Sequence, residues 1–244
     1  MKKTLLGIAV LVALGFVGSL WWLSRSLDSQ VASAIRVYGS EIAGVPVSLS
    51  DVRIVVADGA ATLHGLVVGN PPGFKTAQAL SLDEVTLKLD VGSLATDVIR
   101  IKEMSIVKPD ITYEYTLGGS NLDVLQRNAD RYVAGHGYGK SESREGAPGK
   151  KLVIEHVYIK NGIVNVSADM LNGKAVVVPL PDLQMTDIGK QSNGATVGEA
   201  MKNILGALTQ SVTASVGTLN LGTVADGLKK GAEAATDAIR GLFK

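Results

Sequence analysis

The distribution of apolar residues divides the chain into segments of different periodicity. The first segment, residues 4–23, is an apolar run of twenty residues without a charge. As a helix rising about 1.5 Å per residue, it would measure about 30 Å, the thickness of a bilayer's hydrocarbon core. Lys2 and Lys3 precede this run, and Trp21 and Trp22 lie near its end, where interfacial residues are expected. The pattern predicts a transmembrane helix with a cytoplasmic N-terminus.

A cleaved signal peptide is the alternative interpretation of the same run. Signal peptides usually carry a shorter apolar region that ends in small residues at the cleavage site. The sequence Val-Gly-Ser at residues 17–19 matches such a site poorly, and apolar residues continue after it. The sequence therefore favours an uncleaved anchor over residues 1–24. Under either interpretation, the chain after Ser24 is exported.

Residues 25–44 have the spacing of a helix that connects the anchor to the rest of the chain. The apolar residues of this helix form one stripe with intervals of four, four, three and four: Leu27, Val31, Ile35, Tyr38 and Ile42. The sequence Gly44-Val45-Pro46 is expected to end the helix.

From Val45 onward the apolar period changes to two. One pattern recurs, with apolar residues at positions i, i+3 and i+5. Its copies are Leu49/Val52/Ile54, Leu82/Val85/Leu87, Ile101/Met104/Ile106, Ile154/Val157/Ile159 and, more loosely, Leu180/Leu183/Met185. Polar residues such as Arg53, Lys88 and Lys160 alternate with them. The pattern predicts a curved antiparallel sheet of roughly nine strands over residues 45–190, with one dry face and one wet face.

Two turn signals carry specific predictions. The sequence Asn161-Gly162 between two strand-like segments is typical of a two-residue hairpin. The sequence Asn-Pro-Pro-Gly-Phe at residues 70–74 looks like the base-binding loop of adenine methyltransferases. Because neither proline can donate a ladder hydrogen bond, a strand must end at Gly69 or Asn70. We therefore predict a corner between strands, with Phe74 packed on the sheet, rather than a catalytic loop.

Two further regions lie outside the strand pattern. Residues 134–151 are rich in glycine and charge without periodicity, which predicts a flexible loop. Residues 195–244 return to helical spacing and predict two amphipathic helices. Their stripes are Met201, Ile204, Leu205, Leu208 and Val212 in the first, and Leu221, Val224, Leu228, Ala235, Ile239 and Leu242 in the second. These helices either cover the core or bind a membrane surface or a partner.

Composition and charge narrow the possible chemistry. The chain is 46% hydrophobic, with a formal net charge of +1, which argues against a nucleic-acid partner. It has no cysteine, and its histidines (His64, His136 and His156) lack the spacing of a metal site. No serine lies in a nucleophile elbow, and the adjacent Asp83 and Glu84 would point to opposite faces of a strand. We therefore expect no cofactor, no metal and no enzymatic activity.

The segments that carry a family resemblance are those around the Asn-Pro-Pro corner. They are YGSEIAGVPVSLSDVRI, ATLHGLVVGNPPGF, ALSLDEVTLKLDVGSL, VIRIKEMSIVKPDITYEY and GGSNLDVLQRN. Together they resemble the N-terminal region of AsmA-like proteins, which are relatives of TamB and of the chorein-type bridge-like lipid-transfer proteins. The resemblance covers residues 1–130 well and residues 150–188 more loosely. Its motifs are a Gly-Asn-Pro-x-Gly-aromatic corner and a later Ser-Asn-Leu before a helix.

The resemblance implies a single-pass inner-membrane protein with most of its chain in the periplasm. It implies a β-groove over residues 45–190 whose apolar face holds phospholipid acyl chains and helps to transfer them in the cell envelope. The groove-lining residues would be Val52, Ile54, Val56, Val85, Leu87, Leu89, Met104, Ile106, Val157 and Ile159, with Leu183 and Met185 as further candidates. Nine strands would make a sheet about 43 Å wide, which is too short to bridge two membranes.

Three functions remain open from the sequence. The first is a lipid-binding or lipid-transfer module in contact with the inner membrane. The second is a structural or assembly protein of the envelope that uses the sheet as a packed scaffold, self-associating as a homo-oligomer or docking to an envelope protein. The third, an enzyme or some other activity, is the least favoured. A charge placed at Val85 or Met104 would abolish lipid binding in the first case and unfold the protein in the second.

Overall fold

The computed structural model describes residues 27–116, 118–136, 150–168 and 176–217. These residues form a mixed α+β fold with three helices around one large open sheet. The helices are α1 (27–43), α2 (Asn121–His136) and α3 (Val197–Gly217). The strands are β1 (Val47–Ser48), β2 (Asp51–Val55), β3 (Ala60–Gly69), β4 (Gln78–Leu89), β5 (Val98–Val107), β6 (Asp110–Thr116), β7 (Gly119–Ser120), β8 (Lys151–Lys160), β9 (Ile163–Ala168), β10 (Val176–Pro179) and β11 (Leu183–Ile188).

These strands occupy six positions across the sheet. β1 and β2 share the first position, followed by β3, by β4, by β5 with β6, by β8 with β9, and by β11 with β10 at the far edge. Five spacings of about 4.8 Å give a width of about 24 Å. The predicted nine adjacent strands and 43 Å were therefore wrong, because several strands continue one another end to end.

The prediction of an antiparallel sheet is also wrong at its centre. β5 pairs with β8 in parallel, and β6 pairs with β9 in parallel. A parallel pair needs a crossover connection, and here α2 is part of the chain that leads from β6 back to β8. The remaining pairs are antiparallel, so the sheet is mixed.

The hairpin predicted at Asn161-Gly162 does not form. A type I′ turn requires positive φ at both central residues, but only Asn161 has one (φ 56°). The chain therefore kinks and continues, so that β8 and β9 lie in line instead of pairing with each other. Lys108 (φ 55°) makes the same kink between β5 and β6, and its N–H donates to Lys160 O at 2.8 Å.

These kinks belong to a crease that crosses the sheet. On β3 the crease passes through Gly65 (φ 62°), and on β4 it passes through two successive exposed residues, Asp83 and Glu84. Leu82 and Val85 on either side are both buried. The three-residue step in the repeated sequence pattern therefore marks the crease on β4. We call the part with β6, β9, β10 and residues 70–77 the corner half, and the part with β2, β5, β8 and β11 the groove half.

The helices cover the two halves unequally. α2 packs on β6 and β7, and α3 runs antiparallel to α2 and also contacts β8, β10 and β11. Lys202 on α3 pairs with Asp130 on α2 at 2.9 Å, and Gly198 lets α3 approach the Tyr132 ring closely. α1 lies along the edge formed by β1 and β2. α2 therefore lies over the corner half, whereas α3 contacts strands of both halves.

Several predicted boundaries and stripes need correction. On α1, Leu27 and Tyr38 are exposed, while Ala32 and Ile42 are buried, because the helix packs against an edge rather than into the sheet. On α3, Met201 is exposed although Leu208 and Val212 of the predicted stripe are buried. The predicted loop at 134–151 is wrong at both ends, since residues 134–136 belong to α2 and residue 151 begins β8, and residues 137–149 lie outside the described residues. The second C-terminal helix, at 218–244, lies outside the described residues.

Candidate lipid-binding groove

The apolar face of the groove half is built from two ladders of side chains that cross all six strand positions. The first ladder consists of Val52, Leu63, Val85, Ile106, Ile159 and Leu183, and the second of Ile54, Ala61, Leu87, Met104, Val157 and Met185. Every member of both ladders is apolar. Because directly opposed residues in neighbouring strands share a face, the ladders form one continuous hydrophobic surface.

The two ladders differ in how far solvent reaches them. In the first ladder, all residues except Leu183 are buried. In the second ladder, only Ala61 and Val157 are buried. The partly buried residues form a strip beside the first ladder, which we call the open strip: Ile54, Leu87, Leu89, Met104 and Met185. The groove half thus has a closed row and an adjoining row that solvent reaches except at Ala61 and Val157.

Nine of the ten residues predicted to line a lipid groove lie on this face. The exception is Val56, because β2 ends at Val55 and Val56 begins a short 3-10 turn with an exposed side chain. The sequence prediction missed Leu63 and Ala61, although they alternate along β3. The left-handed Gly65 breaks that alternation after His64 and hides the signal.

The opposite face of the groove half carries the charges, as predicted. Lys88 and Glu103 form an ion pair of 3.0 Å across β4 and β5. On β8 the ring of His156 stacks on Tyr158, and Lys160 Nζ lies 5.0 Å from the centre of the Tyr158 ring. The sheet therefore separates a polar outer face from an apolar inner face.

A buried polar network fixes the corner half. The strand ends at Gly69 as predicted, and the following corner is held by the buried Glu114 on β6. The Glu114 carboxylate accepts hydrogen bonds from the N–H groups of Lys75 (2.7 Å) and Thr76 (2.9 Å), and from Thr76 Oγ1 (2.6 Å). Asn70 Nδ2 donates a longer bond of 3.3 Å to it.

Asn121 connects this corner to the start of α2. Its Nδ2 donates to Asn70 Oδ1 and to Thr112 O, both at 2.8 Å. Its Oδ1 accepts from the N–H groups of Glu114 and Leu122, both at 3.0 Å. The two motifs noted in the sequence, the Asn-Pro-Pro corner and Ser-Asn-Leu, therefore meet in one hydrogen-bonded cluster.

Burial and hydrogen bonding in the corner half shift the pKa values of three titratable side chains. Burial acts to raise the pKa of Glu114, but the hydrogen bonds from Thr76 and from the N–H groups of Lys75 and Thr76 outweigh it and hold the pKa below its ordinary value. Burial raises the pKa of Tyr113 and of Tyr132, which keeps both phenols neutral. Tyr113 is buried in the corner half and Tyr115 is exposed, so neither belongs to the groove half.

A cleft of about 440 Å³ lies between α1 and the edge strand β2. Two of its charged residues, Arg36 and Asp28, hold α1 in place. Arg36 donates from Nε and Nη2 to Leu49 O at 3.1 and 2.7 Å, and Asp28 Oδ1 accepts from the Ile54 N–H at 3.0 Å. These bonds satisfy backbone groups that an edge strand would otherwise leave unpaired.

The predicted anchor, with Lys2, Lys3, Trp21 and Trp22, lies outside the described residues. Among the described helices, none has the length and hydropathy needed to cross a bilayer.

Comparison with known proteins agrees with the resemblance in the sequence. A search of curated proteins gives no match. The model of the AsmA family matches residues 60–241, which is about three quarters of the chain and includes β3 to β11, α2 and α3. The match extends beyond the segments that carried the resemblance, since it continues through the C-terminal region. The chain belongs to the AsmA family.

Proposed function

We propose that this protein is a membrane-anchored periplasmic protein that binds phospholipid acyl chains along its groove half and helps to transfer lipid within the cell envelope. Membership of the AsmA family is compatible with a role in the envelope. The observation that carries the proposal is the open strip, five partly buried apolar side chains on a face whose two ladders are entirely apolar.

The energetics favour an occupant for such a strip. Each buried methylene contributes about 0.8 kcal/mol, so a chain of about sixteen carbons gains at most about 12 kcal/mol. The loss of chain freedom and the partial exposure of the strip reduce that gain. Met104 and Met185 are unbranched and adaptable, which suits a surface that must accommodate chains of different length.

The width of the sheet limits what the protein can do alone. At about 24 Å, it is narrower than the roughly 30 Å hydrocarbon core of one bilayer. The described part of the chain therefore fits a local carrier or an entry module next to the membrane better than a conduit between membranes. A partner protein or another copy would have to extend the path.

A scaffold function is the second candidate, and the burial of the first ladder favours it. Val52, Val85, Ile106 and Ile159 are as buried as residues of an ordinary core. If the open strip is also part of that core in the assembled protein, the sheet serves as a packed support for envelope proteins. In that case its apolar face would bind no lipid.

The test uses a phospholipid that carries a photoreactive diazirine on its acyl chain. The full chain is reconstituted in nanodiscs that contain this lipid, irradiated, digested and mapped by mass spectrometry. We expect labels on peptides that contain Leu87, Met104 or Met185. Met104→Glu should lower labelling of the sheet about tenfold, because a carboxylate in the strip would have to be desolvated against the acyl chain.

Matched controls distinguish the two functions. Ser105→Glu and Thr86→Glu place the same charge one residue away on the outer face, and should leave labelling and the unfolding temperature unchanged. If labels are confined to residues 1–26, acyl binding by the groove half is ruled out. If Met104→Glu unfolds the chain while Ser105→Glu does not, the strip is core and the scaffold function is favoured.

A further inference from the structure

Three exposed valines lie at one end of the groove half. Val55 ends β2 and is 37% exposed, Val56 begins the following turn and is 43% exposed, and Val91 begins the turn between β4 and β5 and is 43% exposed. We call these residues the valine rim. Apolar residues at the tips of turns are unusual, because turns normally carry polar side chains and lie in water.

The two turns of the valine rim are adjacent in space. The Leu89 N–H donates to Gly59 O at 2.6 Å, which joins the end of β4 to the turn after β2. A Cβ atom placed on Gly59 would lie 3.0 Å from Val91 Cγ2. Val91 is therefore packed beside the turn that carries Val56, and the three valines form one patch.

The direction of α1 brings the N-terminal part of the chain to the same end. Asp28 binds the Ile54 N–H at 3.0 Å, and further along α1 the Ser40 Oγ accepts from the Val47 N–H at 2.9 Å. α1 is therefore antiparallel to the edge of the sheet, and Leu27, itself exposed, lies beside the end of β2. The apolar run 4–23 ends four residues before Leu27. Four residues of fully extended chain span at most about 14 Å.

We propose that the valine rim contacts the surface of the lipid bilayer that the apolar run 4–23 enters. The connectivity of the chain argues for a bilayer, because the apolar run precedes α1 in the sequence and the first turn of α1 lies at the same end of the molecule as the rim. Asp58 and Asp90 lie in or next to the same turns. These carboxylates restrict the contact to the headgroup region, since deeper insertion would desolvate them.

This contact would also give the groove half an orientation. Ile54 precedes the turn with Val56, and Leu89 precedes the turn with Val91, so the part of the open strip on β2 and β4 lies next to the rim. With the rim on the membrane, this part of the strip would lie close to the bilayer surface. The proposal rests on the membrane anchoring in the proposed function but not on acyl binding, because a rim that touches the membrane is compatible with a scaffold as well.

The absence of cysteine from the chain allows a direct test. Single variants Val56→Cys and Val91→Cys are labelled with the fluorophore NBD, and the full chain is reconstituted in nanodiscs of phosphatidylethanolamine and phosphatidylglycerol. The control is Val177→Cys on β10 in the corner half, which is 59% exposed and is also a valine. Quenching is measured with phospholipids that carry a spin label at the headgroup or at a shallow acyl carbon.

We expect the label at residues 56 and 91 to be quenched at least about twofold more than the label at residue 177, with a blue-shifted emission. Equal quenching at all three positions, or none at residues 56 and 91, would overturn the proposal. If the unlabelled Val56→Cys variant forms disulfide-linked dimers and the labelled variant is not quenched, the rim would be assigned to a second copy of the chain instead. Photolabelling of the groove half is measured separately, so failure of lipid binding and failure of rim contact are distinguishable.

Discussion

The two halves of the sheet both have an apolar inner face but differ in how completely that face is buried. In the corner half, Ile111, Val164 and Val166 are fully buried beneath α2 and α3, whose Leu122 and Val212 are equally buried. In the groove half, the second ladder remains partly open. The comparison teaches that the apolar face of one sheet can be closed in one half and, in the other, leave part of a row of side chains within reach of solvent.

The halves also differ in their buried polar groups. Among the described residues, three of the four buried polar or charged side chains, Glu114, Ser120 and Asn121, lie in the corner half. Such groups tolerate few arrangements, because each unsatisfied partner is costly. The ladders of the groove half hold only apolar side chains, which can repack with little cost. We infer that the corner half fixes the fold and that the groove half is free to adapt to a ligand.

The largest expected difference between the halves comes from removing a buried side chain. Ile111→Ala should lower the free energy of unfolding by about 4 kcal/mol, because it leaves a cavity under α2 and α3. Ile54→Ala removes the same atoms from the open strip. It should lower the free energy of unfolding by only about 1–1.5 kcal/mol, since water or neighbouring side chains at the sheet edge can occupy the space. Chemical denaturation of the full chain in detergent measures both. Equal losses would mean that the groove half is a closed core.

The sequence predicted the inner face of the groove half well, because that face depends on local periodicity. Val52, Leu87 and Met104 were assigned to it from alternation along single strands, and the register then aligned them. The order of the strands was not predictable in this way. Whether β8 pairs with β5 or with β9 depends on the crossover through α2 and on one dihedral angle at Asn161, and neither leaves a periodic signal.

The second prediction concerns the buried carboxylate of the corner half. Glu114→Gln keeps the shape but removes the charge and places a donor where the N–H groups of Lys75 and Thr76 point. We expect a loss of about 2–3 kcal/mol at pH 7. Glu84→Gln, on the exposed face of the groove half, should change stability by less than about 0.5 kcal/mol.

The pH dependence of stability provides an independent check on Glu114. Its pKa in the folded protein lies below that in the unfolded chain, which is about 4.3. The contribution of Glu114 is therefore complete above that value and is lost as the pH falls through the lower, folded pKa. The Glu114→Gln variant should lose less stability than the native chain between pH 5 and pH 3, taken as an approximate window. Parallel stability curves for the two proteins would contradict the assigned role.

The polar network of the corner half was beyond prediction for a different reason. Asn70 and Asn121 are separated by 51 positions in the chain, yet their side chains are hydrogen-bonded. Each asparagine has an ordinary local explanation, one in a corner and one at the start of a helix. Their pairing depends on how β3 and β6 are placed by β4, which is tertiary information.

The smallest expected effect, a coupling between these two asparagines, tests whether the corner half is one cooperative unit. A double-mutant cycle of Asn70→Ala and Asn121→Ala should give a coupling free energy of about 1 kcal/mol, as expected for residues in one buried network. The matched cycle in the groove half, Lys88→Ala with Glu103→Ala, removes an exposed ion pair and should give about 0.3 kcal/mol. Unfolding in denaturant of the native chain, the four single variants and the two double variants supplies both cycles. If the asparagine cycle is additive, the two motifs stabilise the corner separately, and the uneven strength of the two halves must come from helix packing alone.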